Sequence, residues 1–517
     1  MTSFEQSNYK ATLPVAACLL IIYLLIVSTS FGPYLTDAYA LRQTQTAITA
    51  QYFSSLRDFL EYQTPVLGPP WSIPFEFPIY QALAKGLYRV MGVSLETSGR
   101  VVSIFFFLLC FWPIHCLLRM WNVRETHWVM ATVLLAPLYV FWSRAFMIET
   151  TALFFATSYL ALFIQVLRSS KDSILKFFLL TVAGVLGALT KVTTILPLLL
   201  VTGTVTTWLA LNAVKRRGSL ATLVKLFVVH GVIVAVAFTW IVHTDNLKLL
   251  NPLGAKLTSA ALRDWNLGTL AQRLDPEAWF SLIENTSEIF FPFPVKYSRP
   301  VTYFKTLLAI SWLILFSHFL IRCTRTRRRQ VAALCALFLL PFLLFTNLHV
   351  VHNYYQVANG LFLCLAFGLA AYGAFETAPD ARHAVRQRQL YAVALLIFGL
   401  CSLWHLNYRS SHKGRLVEVS ALVKKISPPE SVIVAAGLDW SAVLPYQTSR
   451  RALMFPKWST PELITTSLAR LQASGLKVSL YVACGELTAV DLQVRKAFAL
   501  SDRQPLARLD DCSVYPL

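Results

Sequence analysis

The sequence predicts an α-helical polytopic membrane protein of about eleven transmembrane helices with a small C-terminal α/β domain outside the membrane. Three observations predict it. Apolar residues make up 56% of the 517 positions and charged residues only 14%, whereas soluble chains carry roughly a quarter charged residues. The apolar positions are gathered into long runs. The 46 basic residues outnumber 26 acidic ones, a net charge of +20, and most stand in short clusters between those runs. This excludes a disordered, fibrous or ordinary cytosolic chain.

A hydrocarbon core of about 30 Å needs about 20 mostly apolar residues per helical crossing. The runs lie near 13–31, 99–118, 127–142, 146–167, 174–190, 192–212, 222–243, 302–321, 331–348, 355–374 and 389–407. The third and fifth are the shortest. The first does not read as a cleavable signal, because Glu5 stands in its leading region and no small-residue cleavage site follows.

Eleven spans put the N-terminus and the loops 119–126, 168–173, 213–221, 322–330 and 375–388 on one side. Those loops hold Arg119/Arg124, Arg168/Lys171, Lys215-Arg216-Arg217, the Arg322–Arg329 cluster and Arg382/Arg386/Arg388. The short connections opposite hold only Arg144 and Lys191. By the positive-inside rule the basic side is cytoplasmic. The protein is expected in the plasma (inner) membrane, with its N-terminus inside and its C-terminus external or periplasmic. The Arg322–Arg329 run could also suit nucleic acid, but it continues the one-sided loop pattern, and no nucleic-acid partner is expected.

Two domains follow: 1–407 in the membrane, with external loops 32–96 and 244–301, and 408–517 as a soluble external α/β domain. Within the latter, Ser431–Ala436 and Lys477–Ala483 read as strands, and 413–426, 460–474 and 486–499 as helices, a pattern suited to a partly parallel sheet. Seven of the nine cysteines sit in or beside spans, where they act as small apolar residues. Cys484 and Cys512 both fall in the external domain. An oxidising compartment would permit a disulfide between them, and their spacing leaves the question open.

Ionisable groups in membrane segments cost about 2.5–3.5 kcal/mol on insertion scales, so each needs a reason. Asp37 follows the first span, and a helix after it carries Arg42, Gln45, Thr46 and Thr49 on one stripe, equally the pattern of an interfacial helix with its polar face in water. The Pro65–Pro78 stretch holds Glu76 between Phe75 and Phe77. Ser143-Arg144 precedes Glu149, which lies about one turn inside an apolar helix. A carboxylate near a helix N-terminus is also favourable for purely structural reasons. Lys191 marks the external turn between the fifth and sixth spans, where a lysine can simply snorkel. His349, His352, Tyr354 and Tyr355 bridge the ninth and tenth spans. His349 and His352 have helical spacing for a metal, yet no third ligand accompanies them, so no metal site is expected. Together these groups map to one membrane face. Carboxylates can accept a proton from an acceptor hydroxyl, and cations can neutralise a departing phosphate. The combination suits chemistry at the external interface on a lipid carrying phosphate. No Gly-rich phosphate loop points to a nucleotide.

The ordered marks Asp37…Arg42-Gln43-Thr-Gln-Thr-Ala, Glu76-Phe-Pro-Ile-Tyr80, Ser143-Arg144-Ala-Phe-Met-Ile-Glu149, Leu189-Thr-Lys191 and His352-Asn-Tyr354-Tyr355 span residues 34–356. They resemble the GT-C superfamily of integral-membrane glycosyltransferases, in particular the bacterial branch related to protein O-mannosyltransferases and the lipid A aminoarabinose transferase. The resemblance implies a polyprenyl-phosphate-linked sugar donor and transfer with inversion to an envelope glycan, glycolipid or protein on the external side. It implies Asp37 as catalytic base, with Glu149 supporting the acceptor or orienting a cation. It implies donor-phosphate binding by Arg144, Lys191 and Arg42, and a sugar or acceptor pocket of Glu76, Gln43, Tyr80, His349, His352, Tyr354 and Tyr355. No cofactor and no obligatory divalent metal is implied. Two positions depart from the family pattern: Ala38 follows Asp37 where many relatives have a second acid, and Gln45 stands where close relatives often have Asp. The other classes open to the sequence are a transporter or flippase of lipid-linked sugars and a non-catalytic envelope-assembly component.

Overall fold

The computed structural model describes residues 17–29, 31–32, 34–169, 173–216, 220–293, 299–410, 416–486, 488–501 and 503–517. Lys171, Arg217, the start of the first expected span and residues 413–415 lie outside them. Among the described residues, seven helices are long and apolar enough to cross a membrane: Leu95–Met120, Glu149–Arg168, Val192–Asn212, Ala221–Leu249, Val301–Arg322, Asn353–Glu376 and Ala381–Arg409. Ala17–Ser28, Thr126–Leu135 and Ile174–Thr190 are apolar but shorter, and Arg325–Leu344 opens on a cluster of arginines. The chain is thus a multi-pass membrane protein with a helix at each expected position, but eleven crossings are not established. The 127–142 run is broken because Ala136 is extended ahead of Pro137, the conformation a following proline favours.

The contacts divide the chain into two compact units. The first joins residues up to Phe31 with Ser103–Ala237 and Asp264–Arg409. Its axis is the Asn353–Glu376 helix, 94% buried along its apolar window, against 11% for Val301–Arg322 and 22% for Ala221–Leu249. The burial follows from glycine at the contacts. A Cβ on Gly368 would stand 2.8 Å from the Val129 carbonyl, and one on Gly373 2.5 Å from Cys323 Sγ. Small residues let backbones approach where lipid gives no hydrophobic drive to association. The outer helices instead expose Leu307, Ile314 and Ile321, as a surface facing acyl chains should.

The second unit joins Gly32–Val102, Phe238–Arg263 and Ser410–Leu517. Its centre is a five-stranded sheet in the order β2-β1-β3-β5-β4, from β1 (Val432–Ala436), β2 (Arg451–Phe455), β3 (Val478–Cys484), β4 (Ala507–Leu509) and β5 (Cys512–Pro516). β1 runs parallel to β2 and β3, while β5 is antiparallel to β3 and β4. Helices Val417–Ile426, Pro461–Ala473 and Ala489–Ala497 accompany it. Cys484 and Cys512 stand opposite each other in the β3–β5 register and are joined as a disulfide. β2 would be an open edge, a liability for aggregation, but the first loop covers it. Ala452 and Met454 donate to the carbonyls of Pro65 and Val66 at 3.0 and 2.9 Å, and Gly68 donates to Ala452. Asn251 holds the same loop by donating to the carbonyls of Leu67, Gly68 and Pro70. The loop's proline-rich stretch, with its cis Pro69–Pro70 bond, is therefore ordered by backbone pairing rather than by helix.

Candidate active site

In the first unit, the helix Ile174–Thr190 ends and Val192–Arg216 begins with one extended residue between them, Lys191 (φ −164°, ψ 99°). Its side chain is 7% exposed and donates across 2.5 Å to Glu149 Oε2, itself 2% exposed. Glu149 opens the helix Glu149–Arg168. The ammonium also lies 4.2 Å from the ring centre of Tyr355 and 5.3 Å from that of Tyr354, a cation–π arrangement of the kind that is strongest in a desolvated site. Tyr354 stacks on Tyr355 at 4.6 Å and on His352 at 5.2 Å. Lys191 therefore does not snorkel; it is a buried cation in an aromatic wall.

That wall continues to Arg144. Trp142 meets Tyr354 at 5.9 Å and Phe141 at 4.8 Å, and the fully buried Arg144 guanidinium sits 4.7 Å over Phe141. His405 lies against Phe141 and accepts from Arg409 Nε at 3.1 Å. Arg409 also pairs with Glu288 at 3.4 Å, and Asn353 donates to the same carboxylate. His349 is buried between Phe342 and Tyr355, and its carbonyl accepts from Asn285. Several polar atoms here have no hydrogen-bond partner among the described residues: Glu149 Oε1, the hydroxyls of Thr150 and Thr151, His349 Nδ1 and both amide atoms of Gln356. Buried polar groups in native proteins are nearly always satisfied, so this cluster has hydrogen-bonding capacity open to a ligand or to water.

The second unit gathers the residues of the first loop. The turn Asp37-Ala38-Tyr39 enters the helix Ala40–Tyr52 through Tyr39 in the left-handed region (φ 57°), which for a non-glycine residue costs of order 1–3 kcal/mol and is concentrated at functional sites. The turn lays Asp37 over the helix, where Oδ1 accepts from Gln43 Nε2 at 2.6 Å. Oδ2 lies 3.9 Å from Arg100 Nη2. Arg100 is 1% exposed and donates to the carbonyls of Gly32 and Tyr34 at 2.5 and 3.1 Å, so one guanidinium holds both the chain ahead of Asp37 and the carboxylate's surroundings. Arg42 pairs with Glu76 and donates to Gln45 at 2.7 Å. Tyr62 donates to the Glu76 carbonyl at 2.9 Å and accepts from the Phe75 N–H at 2.7 Å, fixing the Glu76 loop. Burial and the Glu76 charge push the Tyr62 phenol well above its usual range. Gln45, Thr46 and Thr49 are all buried. The polar stripe of this helix thus faces protein, and the reading of an interfacial helix with its polar face in water is corrected. Tyr80 is fully buried and donates to the Gly99 carbonyl at 2.7 Å.

Lys191 and Glu149 are therefore brought together, with Tyr354, Tyr355 and His352, and Arg144 joins them through aromatic contacts. Asp37 and Gln43 are brought together, as are Arg42 and Glu76. Sequence reasoning missed Arg100, Arg409, Glu288, Gln356 and Lys248, the last 4.6 Å from the Phe75 ring and paired with Asp245. The signal for Arg100 and Lys248 was a cation at the end of an apolar run.

No family model matches the chain, and no curated protein matches it. Solved structures do. ArnT from Cupriavidus metallidurans bound to undecaprenyl phosphate superposes with a TM-score of 0.59 at 12% identity over 99% of this chain and 98% of its own. Its apo state gives 0.52 at 12% identity over 98% of each chain. The oligosaccharyltransferase AglB from Archaeoglobus fulgidus, in complex with an inhibitory peptide and a dolichol-phosphate, gives 0.51 at 11% identity over 92% of this chain and 70% of its own. The chain shares the GT-C fold of these solved structures, and the similarity extends over almost the full length of ArnT.

Proposed function

We propose that this protein transfers a sugar from a polyprenyl-phosphate donor to an envelope glycan, glycolipid or protein, with inversion at the anomeric carbon, on the external side of the membrane. The observation that carries the reading is Lys191: a buried cation at a break between two apolar helices, held by Glu149 and two tyrosines in a fold whose solved members include one bound to undecaprenyl phosphate. Lys191 and Arg144 are assigned to the phosphate, whose charge grows as it leaves; preorganised cations in a water-poor site are the strongest device for stabilising such charge. Asp37 is assigned as general base. The acceptor hydroxyl loses its proton to the Asp37 carboxylate as its oxygen bonds to the anomeric carbon, and the bond from that carbon to the phosphate oxygen breaks, releasing polyprenyl phosphate. Gln43 and Arg100 hold Asp37, and Arg42, Glu76 and the Tyr354–Tyr355 wall are assigned to the sugar or acceptor. No metal is assigned a part, and transfer is expected to continue in a chelator.

The test is reconstitution of the purified chain in vesicles with a polyprenyl-phosphate-linked sugar, followed by mass spectrometry of the acceptor and of released polyprenyl phosphate. Coupled appearance of both supports transfer. Movement of intact donor between leaflets without release would establish translocation instead.

A further inference from the structure

We propose that a second phosphate-binding site, distinct from the sugar-transfer site, lies where the ends of the helices Arg299–Arg322 and Gln356–Glu376 meet the basic start of Ala381–Ser410, and that it holds the phosphodiester of an anionic phospholipid. These ends belong to one compact unit. They enclose a cavity of about 340 Å³ lined by His318, Arg322, Thr377, His383, Arg386 and Gln387 on its polar side. Ala374, Pro379 and Leu390 complete it on the apolar side.

The polar wall is organised, and its cations are not spent on one another. Gln387, 6% exposed, accepts from His318 Nε2 at 3.0 Å. The same imidazole accepts through Nδ1 from Arg322 Nη1 at 3.0 Å, and Thr377 Oγ1 donates to the Arg322 carbonyl at 2.7 Å. This chain fixes Arg322 through one terminal nitrogen and leaves the other donors of its fork for a ligand. Arg386 makes no hydrogen bond or ion pair with any described residue. The nearby carboxylate, Asp380, is engaged by His383 at 2.9 Å. Among the described residues, neither of the cavity's two guanidinium groups is paired with a carboxylate.

Its position selects the source of the phosphate. Arg322 ends one candidate span, and Arg386 and Gln387 lie in the first two turns of another, beginning at Ala381, which is headgroup depth. From the cavity wall, Leu390, Val393, Leu396 and Leu400 continue down the same helix at three- to four-residue spacing, each exposed. A headgroup in the cavity thus has an apolar track below it for an acyl chain, which inorganic phosphate would not use. Basic pockets between transmembrane helices are suited to such headgroups, each Lys or Arg near an anionic surface adding affinity.

The test is native mass spectrometry of the full-length protein released from phosphatidylcholine nanodiscs containing cardiolipin as probe. The wild type should retain cardiolipin. Each of Arg322→Gln and Arg386→Gln should weaken retention roughly fivefold, and the double variant roughly thirtyfold. A double Arg→Lys variant, which keeps the charge, should restore most of it. Arg325→Gln with Arg329→Gln, two exposed arginines outside the cavity, should leave it unchanged. Equal retention in the Arg322/Arg386 double variant would overturn the proposal. So would an equal loss in the Arg325/Arg329 variant, which would reduce the effect to diffuse surface charge. Displacement of cardiolipin by equimolar inorganic phosphate would overturn the lipid assignment.

Discussion

Lys191 and Glu149 form a buried ion pair at 2.5 Å between the break separating two apolar helices and the first residue of a third. Breaking such a pair leaves an uncompensated charge in a low-dielectric site, at a cost of about 3–5 kcal/mol.

Glu149→Gln should therefore lower the thermal stability of the detergent-solubilised protein and abolish transfer. Glu149→Gln combined with Lys191→Met should recover much of the stability and none of the activity. A fluorescence-detected melt alongside a transfer assay separates the two effects. Equal melting points for the wild type and Glu149→Gln would show that the pair carries no structural load.

Arg100 positions Asp37 through the Gly32 and Tyr34 carbonyls. Displacement of a reacting group by about 1 Å can cost about a hundredfold in rate. Arg100→Lys, which keeps the charge but loses the fork, should lower kcat by about ten- to a hundredfold with little change in the donor KM. A change confined to KM would place Arg100 in donor binding.

The second unit should be alkali-sensitive. Burial raises the phenols of Tyr62, Tyr446 and Tyr481, helped by the charges of Glu76, Glu96 and Asp491 respectively. A raised folded pKa means that the unfolded chain ionises first. Stability is full below the unfolded phenol value of about 10 and falls as pH climbs above it, by about 1.4 kcal/mol per pH unit for each phenol that stays protonated in the fold. Urea midpoints followed by near-ultraviolet circular dichroism should fall above about pH 10. Replacing Tyr62 with Phe should flatten the slope.

The Cys484–Cys512 disulfide closes a loop of sequence separation 28, for which the chain-entropy model gives about 3.5 kcal/mol. Cys484→Ser with Cys512→Ser should destabilise the sheet by about that amount, and reduction of the wild type should match it. Limited proteolysis reporting cleavage near β5 is the readout, and unchanged resistance after reduction would contradict it.

Much of this architecture was legible because membrane helices advertise themselves by long apolar runs, and because several cations and carboxylates at the ends of those runs map to one membrane face in an ordered set. Lys191 and Glu149 stood out for that reason, and β1 and β3 for their mostly apolar runs. β4 escaped because it is only three residues long, and β2 and β5 because polar or turn-forming residues interrupt them, Arg451 at the start of β2 and Ser513 and Pro516 in β5; β2 is paired with both β1 and the first loop. The break before Pro137 was readable in principle, since the residue ahead of a proline avoids the helical region. Arg100 and Lys248 escaped for the opposite reason to Lys191: a single cation at the end of a span reads as a boundary marker until its partners are seen. The Arg409–Glu288 pair joins residues 121 positions apart, a relationship carried by tertiary packing alone.

Asp37 is the residue on which the proposed transfer most directly depends. In vesicles supplied with a polyprenyl-phosphate-linked sugar and acceptor, the wild type should release polyprenyl phosphate in step with glycosylated acceptor. Asp37→Asn, which preserves the side-chain shape, should reach the membrane and fold normally yet lower that release by at least about a hundredfold. Release by Asp37→Asn at the wild-type rate would contradict the assignment of this carboxylate as the base.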